Sequence, residues 1–239
     1  MNPLFILRHT HHPALDIWAW WNIIGEVGSF LWVVAYALIV RQCHQQKTYG
    51  IPMVAICLNM GWEVLTAWVL PNPVEVWLWL ERAWSILDLF ILGQLLRYGR
   101  AEQKFPETRQ YFYPLIGLTL VLSFCGQYSF IKMYQDNMGF MDAFMINLVM
   151  SILFVGLYYE RRETRQGLSV PVAWLKMLGS LGTGIQSQVV VRSIDHMHQG
   201  VPFLTFLSLS ILLFDCAYIY LLMKPVRSPA GQPVLAPAG

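Results

Sequence analysis

The chain has 239 residues, of which 56% are apolar and only 13% are charged, against roughly 25% charged residues in soluble domains. Water cannot solvate a surface of this composition, so lipid is the expected solvent. A net charge of +2 is too small to indicate a nucleic-acid partner. The four cysteines show no C-x-x-C spacing, so neither a disulfide framework nor a zinc site is predicted.

Seven apolar runs are long enough to cross a membrane, which takes about 20 residues. In chain order they cover residues 17–42, 51–70, 74–98, 112–131, 139–159, 170–193 and 202–223. The first 14 residues lack a signal-peptide pattern, so the first run is expected to remain as a helix. We predict an all-α protein with one seven-helix transmembrane domain at residues 1–224 and a disordered tail at 225–239, which is rich in Pro, Ala and Gly.

The basic residues between these runs predict their direction, because Lys and Arg are enriched in cytoplasmic loops. One side carries Arg41, Lys47, Arg97, Arg100, Lys104, Arg109, Arg161, Arg162, Arg165, Lys224 and Arg227. The other side carries only Arg8, Lys132 and Arg192. We therefore expect the N-terminus outside and the C-terminus in the cytoplasm.

Ionisable side chains inside the predicted spans are the main functional signal, since they are costly in lipid and face a partner or a cavity. The deep acids are Glu26, Glu63, Glu81, Asp88, Asp142 and Asp215, and the deep cations are Arg82 and Lys176. At about 1.5 Å of rise per residue, Glu63 falls in an outer layer, and Asp88 and Asp215 fall in a layer roughly 8–10 Å deeper. Ion pairing could involve Glu63 or Glu81 with Arg82, and Asp88 or Asp215 with Lys176.

Ion pairing cannot account for every one of these acids, because carboxylates outnumber the cations. Burial favours the uncharged form of a carboxyl group. A neutral carboxylic acid at neutral pH can donate a proton, which is the role of a general-acid catalyst. The sequence therefore indicates an acid site inside the membrane.

Other polar and aromatic residues in the spans are candidates for the same pocket. Asn59 lies four residues before Glu63 and shares its helix face, so its amide could orient the carboxyl or bridge two helices. Trp32, Trp62 and Trp84 lie deeper in their spans, whereas an interfacial belt explains Trp18, Trp20, Trp21, Trp68, Trp77 and Trp79. The rings of the three deeper tryptophans could stabilise a cation or could serve packing alone.

No cofactor or metal site is predicted. The chain contains no D-D-x-x-D cluster, D-x-D-D motif, Gly-rich phosphate loop or G-x-S-x-G elbow. The predicted outer edge carries His9, His11, His12, His196 and His198. These are interpreted as interfacial side chains, with metal binding as the weaker alternative. A retinal protein is excluded, because the seventh span contains Asp215 and no lysine before Lys224.

Five segments together resemble the membrane-bound terpene cyclases of fungal meroterpenoid and indole-diterpene pathways and their bacterial relatives. They are Leu58-Asn59-Met60-Gly61-Trp62-Glu63, Arg82-Ala83-Trp84-Ser85-Ile86-Leu87-Asp88, Met145-Ile146-Asn147-Leu148-Val149-Met150-Ser151, Ala173-Trp174-Leu175-Lys176-Met177-Leu178-Gly179 and Leu213-Phe214-Asp215-Cys216-Ala217-Tyr218. Their order and spacing carry the likeness, which extends over all seven spans.

The resemblance implies metal-free, proton-initiated cyclisation of a prenylated lipophilic substrate within the lipid bilayer. It implies that Glu63 and Asp215 are the catalytic acids that protonate a terminal epoxide or alkene. Asn59, Trp62, Trp84 and Asp88 are the expected substrate-binding residues. The membrane would be the cytoplasmic membrane of a bacterium or the endoplasmic reticulum of a fungus, and the oligomeric state stays open.

Two other function classes are compatible with buried acids. A proton-coupled transporter would use them as a relay, although such folds show internal repeats and helices broken by Gly or Pro. No repeat relates spans one to three with spans five to seven. A receptor or scaffold is the third possibility, and it leaves the acids without a purpose.

Overall fold

The computed structural model describes residues 12–70, 72–136, 138–193, 198–227 and 233–234. His9, His11, His196 and most of the predicted tail lie outside this range. Within it, a helix occupies each of the seven predicted ranges. The long helices are α1 (Trp20–Gln46), α2 (Met53–Val64), α3 (Glu75–Gln94), α4 (Phe112–Tyr134), α5 (Phe140–Glu160), α6 (Val170–Ser193) and α7 (Val201–Met223). The all-α class is therefore confirmed.

Shorter elements lie between the long helices. The 3₁₀-helices are Pro13–Leu15 and His198–Gly200, π-helical segments Leu65–Val69 and Leu95–Gly99 extend α2 and α3, and short α-helices cover Arg100–Glu102 and Pro106–Gln110. After α7, Val226–Arg227 pairs antiparallel with Pro233–Val234. These two strands lie in the predicted tail, whose disorder stays a prediction.

Four helical segments among the described residues are long and apolar enough to cross a membrane. They are Pro13–Gln46, Phe112–Tyr134, Phe140–Glu160 and His198–Met223. Met53–Val69 is apolar but shorter. The count of seven spans and the direction of the termini stay predictions.

Six of the long helices form a closed circuit of neighbours. Helix α1 contacts α6, α6 contacts α7, α7 contacts α5, α5 contacts α2, α2 contacts α3, and α3 returns to α1. Helix α4 lies outside this circuit against α2, where Gln127 and Ser123 direct their side chains to the carbonyl oxygen of Leu58. The six helices together enclose a space in the middle of the bundle.

The contact between α1 and α6 is the most extensive in the bundle, because glycines let the two backbones approach closely. A Cβ atom on Gly28 would lie 2.7 Å from the carbonyl oxygen of Gly179, and one on Gly182 would lie 2.8 Å from the carbonyl oxygen of Ile24. Small residues at helix interfaces are the usual device for close packing in membranes. This contact fixes one wall of the enclosed space.

Arg161, directly after α5, joins two connecting segments at the end of the bundle predicted to be cytoplasmic. Its guanidinium donates to the carbonyl oxygen of Tyr49 at 2.6 Å and to Glu102 Oε2 at 2.7 Å. The other carboxylate oxygen of Glu102 accepts a hydrogen bond from Thr48 at 2.7 Å. These bonds tie the loop after α1 and the segment after α3 to α5.

Candidate active site

A cavity lies inside the helix circuit, with an empty volume of about 840 Å³ including its opening. Its wall comes from α1, α2, α3, α5, α6 and the connections next to them, and most of it is apolar and aromatic. The polar side chains on this wall are Ser29, Tyr36, Asn59, Glu63, Asn72, Glu81, Asn147, Thr183, Gln186 and Ser187.

Glu63 lies on the cavity wall and is only 2% exposed. Its carboxyl contacts that of Asp88, which lies behind it, is fully buried and does not reach the cavity. Glu63 Oε2 has no hydrogen-bond donor among the described residues, and the Asn59 amide is the donor that approaches the Asp88 carboxyl. Two ionised carboxylates would only repel each other here, whereas a proton on one of them supplies the missing donor.

Two further polar groups surround this carboxyl pair. The Asn59 side-chain amide donates to the Tyr36 hydroxyl, and both residues line the cavity. Tyr36 interacts electrostatically with both acids. No cation is paired with either acid among the described residues. Tyr36, Asn59, Glu63 and Asp88 therefore form a buried polar cluster, the acid cluster, whose two carboxyls have no cationic partner in the described part of the chain.

Aromatic rings cover the wall beside Glu63. The rings of Trp62 and Trp84 lie 6.1 Å apart between centroids. Trp62 donates its indole N–H to the carbonyl oxygen of Gly139 at 2.9 Å, and Trp84 donates to the carbonyl oxygen of Ser29 at 3.2 Å. These bonds fix the planes of both rings. Ring faces held in an apolar cavity can stabilise a cation.

The connection before α5 fits closely against Trp62. Gly139 has φ +68°, a conformation that favours glycine, and a Cβ atom there would lie 2.6 Å from Trp62 Nε1. Asp136 lies three residues before Gly139. Its side chain accepts a hydrogen bond from the backbone N–H of Asp142, in the first turn of α5, at 2.9 Å. The wall formed by this connection therefore depends on both residues.

Glu81 is a second carboxyl on the cavity wall, 4% exposed. Its Oε1 accepts a hydrogen bond from Asn72 Nδ2 at 3.0 Å. Sequence reasoning placed Glu81 among the deep acids but did not select it as a site residue, and it did not select Asn72. The position of Glu81 on α3 was a signal that could have identified it. It lies four residues after Trp77 and three before Trp84, which places all three on one helix face.

Asp215 lies elsewhere. Its Oδ1 and Oδ2 accept hydrogen bonds from Lys176 Nζ at 2.7 and 2.9 Å, and the same ammonium donates to Ser151 at 2.7 Å. Asp215 does not line the cavity of Glu63; it borders a separate groove between α6 and α7. Of the two pairings considered for Lys176, the structure shows the one with Asp215.

The remaining deep charges have other environments. The Arg82 guanidinium lies over the rings of Trp68 and Trp79, at 5.1 and 5.0 Å from their centroids, so it pairs with neither Glu63 nor Glu81. Glu26 accepts a hydrogen bond from the Trp77 indole at 3.3 Å. Asp142 lies in the first turn of α5. None of these three belongs to the acid cluster.

The predicted site residues are thus partly brought together. Asn59, Trp62, Glu63 and Trp84 line one cavity, and Asp88 lies directly behind Glu63. The assignment of Glu63 and Asp88 to different layers was wrong, because counting rise along each helix ignores helix tilt and the reach of the side chains. Asp215 is not brought to this group.

The class of this molecule is defined by a helical bundle with segments long and apolar enough to cross a membrane. Its aromatic cavity presents carboxyl groups that have no cationic partner among the described residues. The model of the Pyr4-like transmembrane terpene cyclases matches residues 10–228. The chain belongs to this family. Membership does not favour the transporter alternative.

Individual relatives are fungal terpene cyclases. Terpene cyclase prhH of Penicillium brasilianum is 24% identical over 96% of this chain and 95% of its own length. Terpene cyclase cle7 of Aspergillus versicolor is 23% identical over 63% of each chain, and the Pyr4-family terpene cyclase mfmH of Annulohypoxylon moriforme is 27% identical over 63% of this chain and 62% of its own. The chain thus spans less than two thirds of the last two relatives. No solved structure matches it.

Proposed function

We propose that this chain is a metal-independent membrane terpene cyclase that closes the rings of a prenylated lipophilic substrate, with Glu63 as the initiating acid. One observation carries the proposal: the Glu63 carboxyl faces an apolar, aromatic cavity and has the carboxyls of Asp88 and Glu81, not a cation, as its ionisable neighbours. Family membership and the curated relatives' names support the same reaction class.

The proposed reaction begins when Glu63 transfers a proton to the terminal epoxide oxygen or alkene carbon of the bound chain. The epoxide C–O bond opens, or the alkene π bond supplies the electron pair, and a tertiary carbocation forms. Neighbouring double bonds then attack in sequence. The cavity holds the flexible chain in a folded conformation close to that of the product, which removes much of the entropic barrier.

The residues around Glu63 have supporting roles. Asp88 shares a proton with Glu63 and so keeps one of the two carboxyls neutral. Trp62 and Trp84 present ring faces to the migrating positive charge. The apolar wall excludes water, which would otherwise capture the cation early. Asn59 and Tyr36 orient the acid pair.

The role of Asp215 is proposed separately. The family resemblance implies that it is a second acid, while its geometry supports a contribution through the ion pair with Lys176. An ion pair buried between α6 and α7 would hold two members of the helix circuit together. Its use as a proton donor stays a prediction.

The experiment uses membranes that contain the full-length protein, incubated with a linear farnesylated or epoxyfarnesylated aromatic compound in the presence of EDTA. We expect a cyclised isomer of unchanged mass from the wild-type chain. Glu63→Gln keeps the side-chain shape without the acid, so product formation should fall at least 100-fold, in line with the usual 10²–10⁴-fold contribution of general acids.

The matched control is Glu163→Gln, at an exposed position in the turn after α5, which should leave turnover unchanged. Equal amounts of each variant in the membrane are verified by immunoblot. Wild-type turnover by Glu63→Gln would refute the acid assignment. Loss of product with EDTA, restored by Mg²⁺, would refute metal independence.

A further inference from the structure

A cyclisation that starts with a proton must also release one, and the cavity contains a second carboxyl suited to that step. Glu81 lies on α3 and faces the same cavity as Glu63. No ion pair joins it to a cation among the residues described. Its Oε2 is buried and has no hydrogen-bond donor in the described part of the chain.

The environment of Glu81 differs from that of Glu63 because a fixed donor holds one of its oxygens. Asn72 Oδ1 accepts the backbone N–H of Val74 at 3.0 Å, so the Asn72 Nδ2 group must point the other way. That group donates to Glu81 Oε1. A directed amide N–H stabilises negative charge on the carboxylate that it contacts.

Glu63, in contrast, faces the carboxyl of Asp88 instead of an amide donor. Burial disfavours charge on both carboxyls, but the Asn72 donor offsets part of this cost for Glu81, whereas the neighbouring Asp88 carboxyl adds to it for Glu63. Two acids in one site whose environments differ in this way divide into an acid and a base. The division places the acid at Glu63 and the base at Glu81.

The spacing of residues along α3 sets the distance between the acid pair and Glu81. Trp77, Glu81, Trp84 and Asp88 follow one another at intervals of four, three and four residues, so they form one stripe along the helix. Glu81 and Asp88 are separated by about 10 Å along the axis, with Trp84 between them. A fused ring system can extend from the acid pair past this indole to Glu81.

We infer that Glu81 is a second catalytic residue, the base that ends the cyclisation by removing the last proton. This inference rests on the proposed function. The Glu81 carboxylate takes a proton from the carbon next to the final cation, and the electron pair of that C–H bond becomes the new C=C bond. Glu63 has lost one proton and Glu81 has gained one, so passage of a proton back through water restores the enzyme.

Product analysis of Glu81→Gln tests this assignment. Glu63 is intact in this variant, so we expect substrate consumption within about 10-fold of wild type. The wild-type alkene should decrease at least five-fold relative to products captured by water or deprotonated elsewhere. Glu81→Asp retains a carboxyl and should partly restore the wild-type ratio. Asn72→Ala removes the donor and should shift the ratio in the same direction as Glu81→Gln.

Glu75→Gln is the control, because Glu75 begins the same helix and is exposed. An unchanged product ratio in Glu81→Gln, with normal consumption, would overturn the inference and leave the proposed function intact. Complete loss of consumption by both Glu81→Gln and Glu81→Asp, in variants of wild-type thermal stability, would also overturn it by assigning Glu81 to an earlier step. No product from the wild-type chain would count against the proposed function itself.

Discussion

The ammonium nitrogen of Lys176 lies 2.7 Å from Asp215 Oδ1, and both side chains are buried between α6 and α7. The ion pair accounts for the one deep cation of the C-terminal half of the chain. Asp215 does not line the cavity of Glu63, although the family resemblance implies related roles for the two. The consequences of this separation can be measured.

A double-variant cycle distinguishes a structural role of Asp215 from a catalytic one. Asp215→Asn leaves the Lys176 charge buried without its partner, which costs about 3–5 kcal/mol. We expect a lower melting temperature in detergent and less product. Lys176→Met with Asp215→Leu removes both charges and should restore the melting temperature, and with it a substantial part of the product.

A double variant with wild-type melting temperature but no product would instead support Asp215 as a proton donor. The control for detergent effects is Arg162→Gln, at an exposed position after α5. It should change neither measurement.

Gly139 should be sensitive to the smallest substitution. In Gly139→Ala the added methyl group would lie 2.6 Å from Trp62 Nε1, in a backbone conformation with φ +68°. We expect a loss of stability of roughly 1–3 kcal/mol and a lower turnover, because the Trp62 ring must move. Thermal melting and product yield measure the two effects.

Gly156→Ala is the matched substitution within α5, where an added Cβ meets no atom within 4 Å. It should leave the protein as stable as wild type or slightly more so, since alanine favours helices over glycine. Equal behaviour of the two alanine variants would contradict the close fit against Trp62.

Filling the cavity should block the reaction without unfolding the protein. Ala143 lines the cavity from α5, and Ala143→Phe places a ring in the space required by the substrate. We expect product to decrease at least 10-fold while the melting temperature changes little. Ala217→Phe makes the same change at an exposed position on α7 and should retain activity. If Ala143→Phe retained wild-type turnover, the substrate would bind elsewhere.

The connection before α5 should make stability depend on pH. Burial raises the pKa of Asp136 to about 6, against the lowering effect of backbone N–H groups of α5. The protonated form is therefore favoured on folding. The stability that this gives is fully present below about pH 4 and is lost as the pH rises through about 6, by on the order of 3 kcal/mol.

Melting temperatures in detergent between pH 4 and 7 measure this effect. Asp136→Asn cannot ionise, so its melting temperature should fall less over that interval than the wild-type value. Asp16→Asn, at an exposed position before α1, should follow the wild-type curve. Identical slopes for wild type and Asp136→Asn would contradict the role given to burial.

The sequence alone determined the helical class, the positions of the helices and the presence of acids without enough cations. Apolar run length and the Gly, Pro and charged breaks between runs are local properties, so helix positions followed from them closely. Asn59, Trp62 and Glu63 on α2 could also be predicted to lie near one another, because the 3.6-residue period fixes which residues are neighbours on a helix surface.

Only the tertiary structure decided which acids share a cavity. Glu63 on α2 contacts Asp88 on α3, Asn72 donates a hydrogen bond to Glu81, and Lys176 forms an ion pair with Asp215. These pairings depend on helix tilt, on the circuit in which α6 and α7 follow one another, and on the direction of each side chain. Contacts between helices distant in sequence are set by packing, so composition and spacing left more than one pairing open for these residues.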